Sequence, residues 1–228
     1  MRSLNFWIAA VVSLGSVQAA EQISVKDAKI DNVQLHYLTA GHGPAMVILL
    51  HGFAETSRMW RPIIPKLAER FTVIAPDLPG IGDSSIPDKI DMLDAARKVH
   101  DLALSLKSDK ARVVGHDIGL MVAYAYAAQF PNETEKLAVM DAFLGRMRAA
   151  WTYFASWPQL AKDFAQLSQT KLTMPVLSIG GDKSLGNELG AQMKLVADNV
   201  TVIVLPNTGH WTLEEKPKET TNALVNFL

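Results

Sequence analysis

The chain contains no cysteine. Disulfides, thiolate metal sites and thiol nucleophiles are therefore excluded, and covalent chemistry must use Ser, Thr, Asp, Glu, Lys, His or Tyr. A dominant charge is also lacking, because 22 basic side chains stand against 23 acidic ones for a formal net charge of -1. No block of like charge disturbs that balance, so nucleic acid is not an expected partner. Internal repeats and low-complexity segments are missing. So are long apolar runs, apart from Leu4 to Leu14, which is shorter than the ~20 residues of a membrane-spanning helix. Arg2 before that run and Val17-Gln18-Ala19 after it have the form of a secretory signal over residues 1–20. We expect a periplasmic or secreted bacterial-type protein, with no stable membrane span once the signal is cleaved. The remainder, 21–228, has the length of one domain.

What is present is an alternation of apolar strand-like runs with helical patterns, which predicts an α/β fold with a mostly parallel sheet covered on both faces. Strand patterns fall at Ile23 to Val25, Val33 to Leu38, Met46 to Leu50, Phe71 to Ala75, Ala111 to Gly115, Leu137 to Met140, Val176 to Ile179 and Val202 to Leu205. Helical patterns fall at Ser57 to Arg70, Asp91 to Leu106, Leu120 to Phe130, Glu188 to Ala197 and Pro217 to Leu228. In open α/β sheets the reacting groups sit at the carboxyl ends of the strands.

One such end reads Gly115-His116-Asp117-Ile118-Gly119, between a buried strand and an apolar helix. It has the form of the G-x-S-x-G nucleophile elbow with Asp in the serine position. By itself such an Asp is as readily a helix cap. Three other strand ends agree with it: His51-Gly52-Phe53, Met140-Asp141-Ala142 and Gly209-His210-Trp211. Phe53 and Ile118 are the candidate oxyanion N–H donors. His116 flanks the elbow, with its side chain expected to point away from the nucleophile's position. Asp77 and Asp83 bracket a Pro-Gly-rich turn and are read as turn formers, and His36, His42 and His100 show no metal-ligand spacing.

Together with Asp77-Leu-Pro-Gly-Ile-Gly-Asp-Ser84 and Met174-Pro-Val-Leu-Ser-Ile-Gly-Gly181, these motifs resemble the α/β-hydrolase fold family. Within it they resemble the branch with an aspartate nucleophile, the epoxide hydrolases and the haloalkane and haloacetate dehalogenases. The resemblance covers nearly all of 21–228 and implies an eight-stranded, mostly parallel sheet. It further implies Asp117 as nucleophile, His210 as general base and Asp141 as the supporting acid, with Asp182 as the alternative acid.

An aspartate nucleophile selects the chemistry. Its carboxylate, with an unperturbed pKa of about 3.9, is ionised at neutral pH and needs no base to attack. Displacement at a saturated carbon leaves an ordinary ester on Asp117, which a His210-activated water then hydrolyses. No metal or organic cofactor is implied; the only implied partner is a small-molecule substrate, and no oligomeric state is indicated. Haloalkane dehalogenases usually carry Trp after the nucleophile and haloacetate dehalogenases Arg, whereas here the residue is Ile118. Elimination therefore favours an epoxide. A dehalogenase of the same mechanism and a catalytically inert relative are the alternatives. Such relatives also carry a longer helical lid, of which only a residual stretch, 142–173, has room here. In the register of the last lid helix the usual tyrosine proton donor corresponds to Phe154, which cannot donate, so Tyr153 is the candidate donor.

Overall fold

The structure, a computed structural model, describes residues 22–88, 91–142 and 157–228, with side chains from 162 onward in the last stretch. The expected signal, Tyr153 and Phe154 lie outside the described residues. No helix among the described residues is long and apolar enough to cross a membrane.

Eight strands form one sheet: β1 (Ser24–Ile30), β2 (Val33–Ala40), β3 (Met46–Leu50), β4 (Thr72–Pro76), β5 (Ala111–His116), β6 (Thr134–Met140), β7 (Val176–Gly181) and β8 (Val200–Leu205). Their spatial order is β1-β2-β4-β3-β5-β6-β7-β8. β2 runs antiparallel to both its neighbours, β1 and β4. Every pairing from β4 to β8 is parallel. β3 is buried throughout, with Met46, Ile48 and Leu50 in one core and Val47 and Leu49 in the other. Successive side chains of a strand point to opposite faces, so a continuous apolar run marks a strand covered on both sides.

The first core lies beneath α2 (Met92–Ser105), α3 (Ile118–Gln129), α4 (Trp157–Leu167) and α5 (Gly186–Val196). The second lies beneath α1 (Ile64–Ala68), α6 (Thr212–Glu215) and α7 (Pro217–Phe227). α3 is apolar around most of its circumference and is buried from Ile118 to Ala127, which it achieves by packing on β3, β5 and β6 with α2 and α4 alongside.

Three elements depart from the sequence pattern. The continuous helix expected over Ser57 to Arg70 is a 3-10 turn, Ser57–Trp60, followed by the short α1. Pro62 and Pro65 remove the backbone donors that would have joined them. Trp60 is fully buried in the second core. α6 precedes the expected last helix, from which Pro217 separates it. α4 stands within the stretch read as residual lid. Parallel order at the centre brings the carboxyl ends of β3, β5, β6 and β7 to a single edge, and the motifs meet there.

Candidate active site

β5 passes into α3 through Asp117, whose backbone has φ 51 and ψ -120. A non-glycine residue there is strained by about 1–3 kcal/mol and is held by its surroundings. Asp117 N–H donates to Met140 O at 3.1 Å, and Asp117 O accepts from Leu120 N–H at 3.0 Å. The flanking glycines are required by contact. A Cβ on Gly115 would stand 2.2 Å from Gly119 O, and one on Gly119 would stand 2.4 Å from Leu50 O and 2.5 Å from His51 O. α3 therefore begins directly against the end of β3. From that end Phe53 N–H donates to Asp117 Oδ2 at 2.9 Å. Ile118 opens α3, and its N–H is among those at a helix start that have no intrahelical acceptor.

Asp141 follows β6 and is fully buried. Its Oδ2 accepts from His210 Nδ1 and from the Ser184 hydroxyl, each at 2.7 Å, and its Oδ1 accepts from Leu185 N–H at 3.2 Å. A carboxylate out of water requires such partners. Because Nδ1 of His210 carries the hydrogen given to Asp141, Nε2 is left for proton transfer. The hydrogen bond to Asp141 raises the His210 pKa above its ordinary value; burial opposes the rise and the charge of Asp117 adds to it.

Asp182, the alternative acid, takes another role. Its Oδ1 accepts from Thr208 N–H at 3.1 Å, and hydrogen bonds from the Asn207 and Thr208 amides hold its carboxyl below the usual range. The structure thus pairs His210 with Asp141, and Asp182 with the backbone leading to His210. Asp77 is likewise a turn residue. Burial pushes its pKa up, but hydrogen bonds from Asp83 N–H and Ser57 N–H outweigh this and leave it lowered. His36 and Asp83 bring ligand-type atoms within 4.8 Å of Asp77, yet each Asp77 oxygen already accepts one of those backbone N–H groups.

Sequence reading missed two carboxylates and misplaced one imidazole. The His116 ring does not turn away; its centroid lies 4.7 Å from that of His210. His116 also contacts Glu55, whose Oε2 accepts from Gly52 N–H at 2.9 Å. Glu215 accepts from Gly209 N–H at 2.7 Å and from Trp211 N–H at 3.2 Å, clasping the chain on either side of His210. A Glu in the first turn reaching back to the N-cap amide is a legible helix-start signal. Glu55 has no such local signature. The mouth of the site is apolar, with Phe53 and Trp211 exposed. Beside Ile118 a pocket of about 40 Å³ is lined by residues that include Leu78, Ile81, Met92 and Val122.

Comparison with known proteins agrees with this geometry. Residues 45–147 match the alpha/beta hydrolase fold family. The chain is 42% identical over 129 residues to a soluble epoxide hydrolase of Corynebacterium sp. (strain C12), a match covering 56% of this chain and 45% of the relative. It is 32% identical over 118 residues to a fluoroacetate dehalogenase of Burkholderia sp, covering 49% of this chain and 38% of the relative. The solved structure of the epoxide hydrolase CorEH without ligand superposes with a TM-score of 0.78 at 27% identity, over 90% of this chain and 98% of that one. This chain spans about half the length of the curated relatives it matches. With the sheet order, the elbow and these matches in one chain, the protein has the α/β-hydrolase fold and is similar to enzymes of epoxide hydrolase and dehalogenase type.

Proposed function

We propose that this protein is a hydrolase that forms a covalent alkyl ester on Asp117 and that its substrate is an epoxide. The observation carrying this reading is the position of a carboxylate at the elbow, with one oxygen on the Phe53 N–H at 2.9 Å and the His210–Asp141 pair at 2.7 Å alongside. Oδ1 of Asp117 attacks a ring carbon, a C–O bond of the epoxide breaks, and the ring oxygen takes a proton. Tyr153 is the donor we propose for that proton. Nε2 of His210 then removes a proton from water, which attacks Cγ of the ester. The oxyanion forms on Oδ2, already seated on the Phe53 N–H, with the Ile118 amide as the second donor. Collapse expels the diol, whose oxygen takes the proton from the imidazolium, and the proton still carried by the newly added oxygen returns to the Tyr153 phenolate, which restores the Asp117 carboxylate.

The charge balance suits this order of events. Before attack, the charge on Asp117 helps hold His210 in its protonated form. Esterification neutralises Asp117, so the His210 pKa falls and more of the imidazole stands in the neutral form that can take a proton from water. Asp141 keeps the ring oriented throughout. The apolar mouth formed by Phe53, Trp211 and the pocket at Ile118 favours an uncharged, largely hydrocarbon epoxide. Similarity to the Burkholderia dehalogenase supports a second reading, in which a halide is the leaving group in the same displacement. We also propose that the protein acts outside the cytoplasm, on the strength of Arg2 and the apolar run behind it.

The test is mass spectrometry of a His210→Gln variant exposed to styrene oxide. The first step should proceed and the second stall, so an adduct of the epoxide's mass accumulates on Asp117. Halide release from haloalkanes or haloacetates, with no diol from an epoxide panel, would decide for the second reading. An unmodified Asp117 across both panels would overturn the covalent mechanism.

A further inference from the structure

The two edges of the sheet are built differently. β1 exposes Lys26, Asp27 and Lys29, the kind of charge that keeps an open edge from pairing with another chain. β8 is the other edge, and among the described residues its strand neighbour is β7 alone. Its sequence, Val-Thr-Val-Ile-Val-Leu, holds no charge, glycine or proline, so nothing in it discourages a further strand. The hydrogen bonds to β7 fix which backbone groups face outward. Val176 N–H donates to Asn199 O at 2.9 Å and Asp182 N–H to Leu205 O at 3.0 Å, and successive residues of a strand turn their N–H and C=O to opposite sides. Residues 199, 201, 203 and 205 therefore face β7, and Val200, Val202 and Val204 turn their backbone groups to the free edge.

The order of these residues is self-complementary. Read in reverse about Val202, Val-Thr-Val-Ile-Val returns valine at every outward position. From this we infer that β8 pairs antiparallel with β8 of a second copy of this chain, about a two-fold axis at Val202, and so continues one sheet across two molecules. Val202 then stands opposite Val202, Val200 opposite Val204, and Thr201 opposite Ile203. Each opposed pair of valines exchanges two N–H···O bonds, and the β-branched side chains meet on the face covered by α5. A two-fold axis makes such an interface closed, so the pairing stops at two copies.

α5 fits the same arrangement. It packs on both β7 and β8, and two glycines bring it down onto the outward valines. A Cβ on Gly190 would stand 2.6 Å from Val202 Cγ1, and one on Gly186 would stand 2.9 Å from Val204 Cγ1. Gly190 thus lies level with the axis. With strands about 4.8 Å apart, two helices that each sit astride the last two strands of their own sheet stand about 10 Å apart, the separation of helices in contact. Leu189, to one side of Gly190, is buried in the core, while Ala191, to the other, is exposed, so a small side chain faces the second helix. The two helices run antiparallel, which sets Glu188 in the first turn of one near Lys194 in the last turn of the other. Charge is complementary at the strand ends too. Asp198 pairs with Lys171 at the start of β8, and Lys183 with Asp182 at its end. Antiparallel pairing brings each of these acids beside a lysine of the other copy, whereas parallel pairing would set like against like.

The experiment is analytical ultracentrifugation of the full chain, joined to residue-resolved amide exchange, comparing wild type with Val202→Pro and Thr201→Lys. Wild type should pass from one chain to two as its concentration rises from about 0.1 μM to about 100 μM. The amides of Val200, Val202 and Val204 should gain protection in step with the dimer, whereas those of Thr201 and Ile203, bonded to β7, should be protected at every concentration. Proline at 202 removes a donor that faces away from β7, so the sheet of the single chain keeps its bonds while association weakens about tenfold or more. Lysine at the exposed position 201 sets a charge against Ile203 of the other copy and should weaken association comparably; this variant carries the test should V202P fail to fold. A wild type that remains a single chain at about 100 μM, a dimer whose Val202 amide exchanges as fast as in the single chain, or a dimer as tight in T201K as in wild type would overturn the proposal. None of these readouts uses a substrate, so their failure is separate from any failure of the hydrolase reading.

Discussion

Asp141 and Asp182 follow neighbouring parallel strands, β6 and β7, yet their environments are opposite. The turn at Asp141 points its carboxylate inward, beneath Ser184, Leu185 and His210, with no solvent exposure. The turn at Asp182 points outward, and its carboxylate braces Thr208 on the strand-end loop that continues to His210. Both residues serve the same imidazole, one through its ring and the other through its chain. Proximity along the sheet does not decide which acid meets the His210 ring. That is set by which turn is roofed by another loop.

Substituting the two acids should separate these roles. The largest effect is expected from Asp141→Asn, which leaves Nδ1 facing an amide able to stabilise the wrong tautomer; breakdown of the Asp117 adduct should slow by about 10³- to 10⁴-fold, followed by mass spectrometry after rapid mixing. Next is Ser184→Ala, which removes one of the two donors on Asp141 Oδ2. Loss of that charge-assisted bond, about 1.5 kcal/mol, predicts a roughly tenfold slower second step with little change in the first.

The pH profile sharpens the contrast further. His210 must be neutral to accept a proton, and its pKa is raised, chiefly by Asp141. Adduct hydrolysis should therefore rise with pH through a midpoint above the ordinary histidine value. In D141N that midpoint should fall. The smallest effect belongs to Asp182→Asn, which should leave both chemical steps within about twofold of wild type. Its signature is in stability. Because the Asp182 pKa is depressed in the folded state, its contribution is present above the unfolded carboxylate value and is lost as pH falls through the folded one. Melting temperatures of D182N and wild type should accordingly converge in acid. A D182N variant as slow as D141N would dissolve the distinction between the two turns.

Much of this arrangement was legible before any coordinates, for identifiable physical reasons. Central strands such as Met46–Leu50 announce themselves because burial on both faces demands an unbroken apolar run. The elbow is legible because two glycines bracket one residue at a fixed short spacing, although only the contact of Gly115 is local and that of Gly119 is with the distant Leu50 and His51 carbonyls. Helix ends were less legible. Pro62 and Pro65 divide an amphipathic pattern that reads as continuous, and α6 is too short to establish a period. Glu55 and the His116 ring were not legible at all, because their partners lie 61 and 94 residues apart in sequence and meet only when three strand ends converge. The pairing of His210 with Asp141 was suggested by family resemblance; periodicity alone does not distinguish it from a pairing with Asp182.

The backbone at Asp117 has an evolutionary corollary. A left-handed φ of 51 is a conformation glycine adopts readily, so the proposed nucleophile occupies the place where a catalytically useless residue would be the more comfortable tenant. A copy of this gene released from selection for turnover would shed that strain by exchanging Asp117 for glycine while preserving the sheet around it. Resistance to melting and capacity for chemistry are therefore set against each other at a single torsion angle.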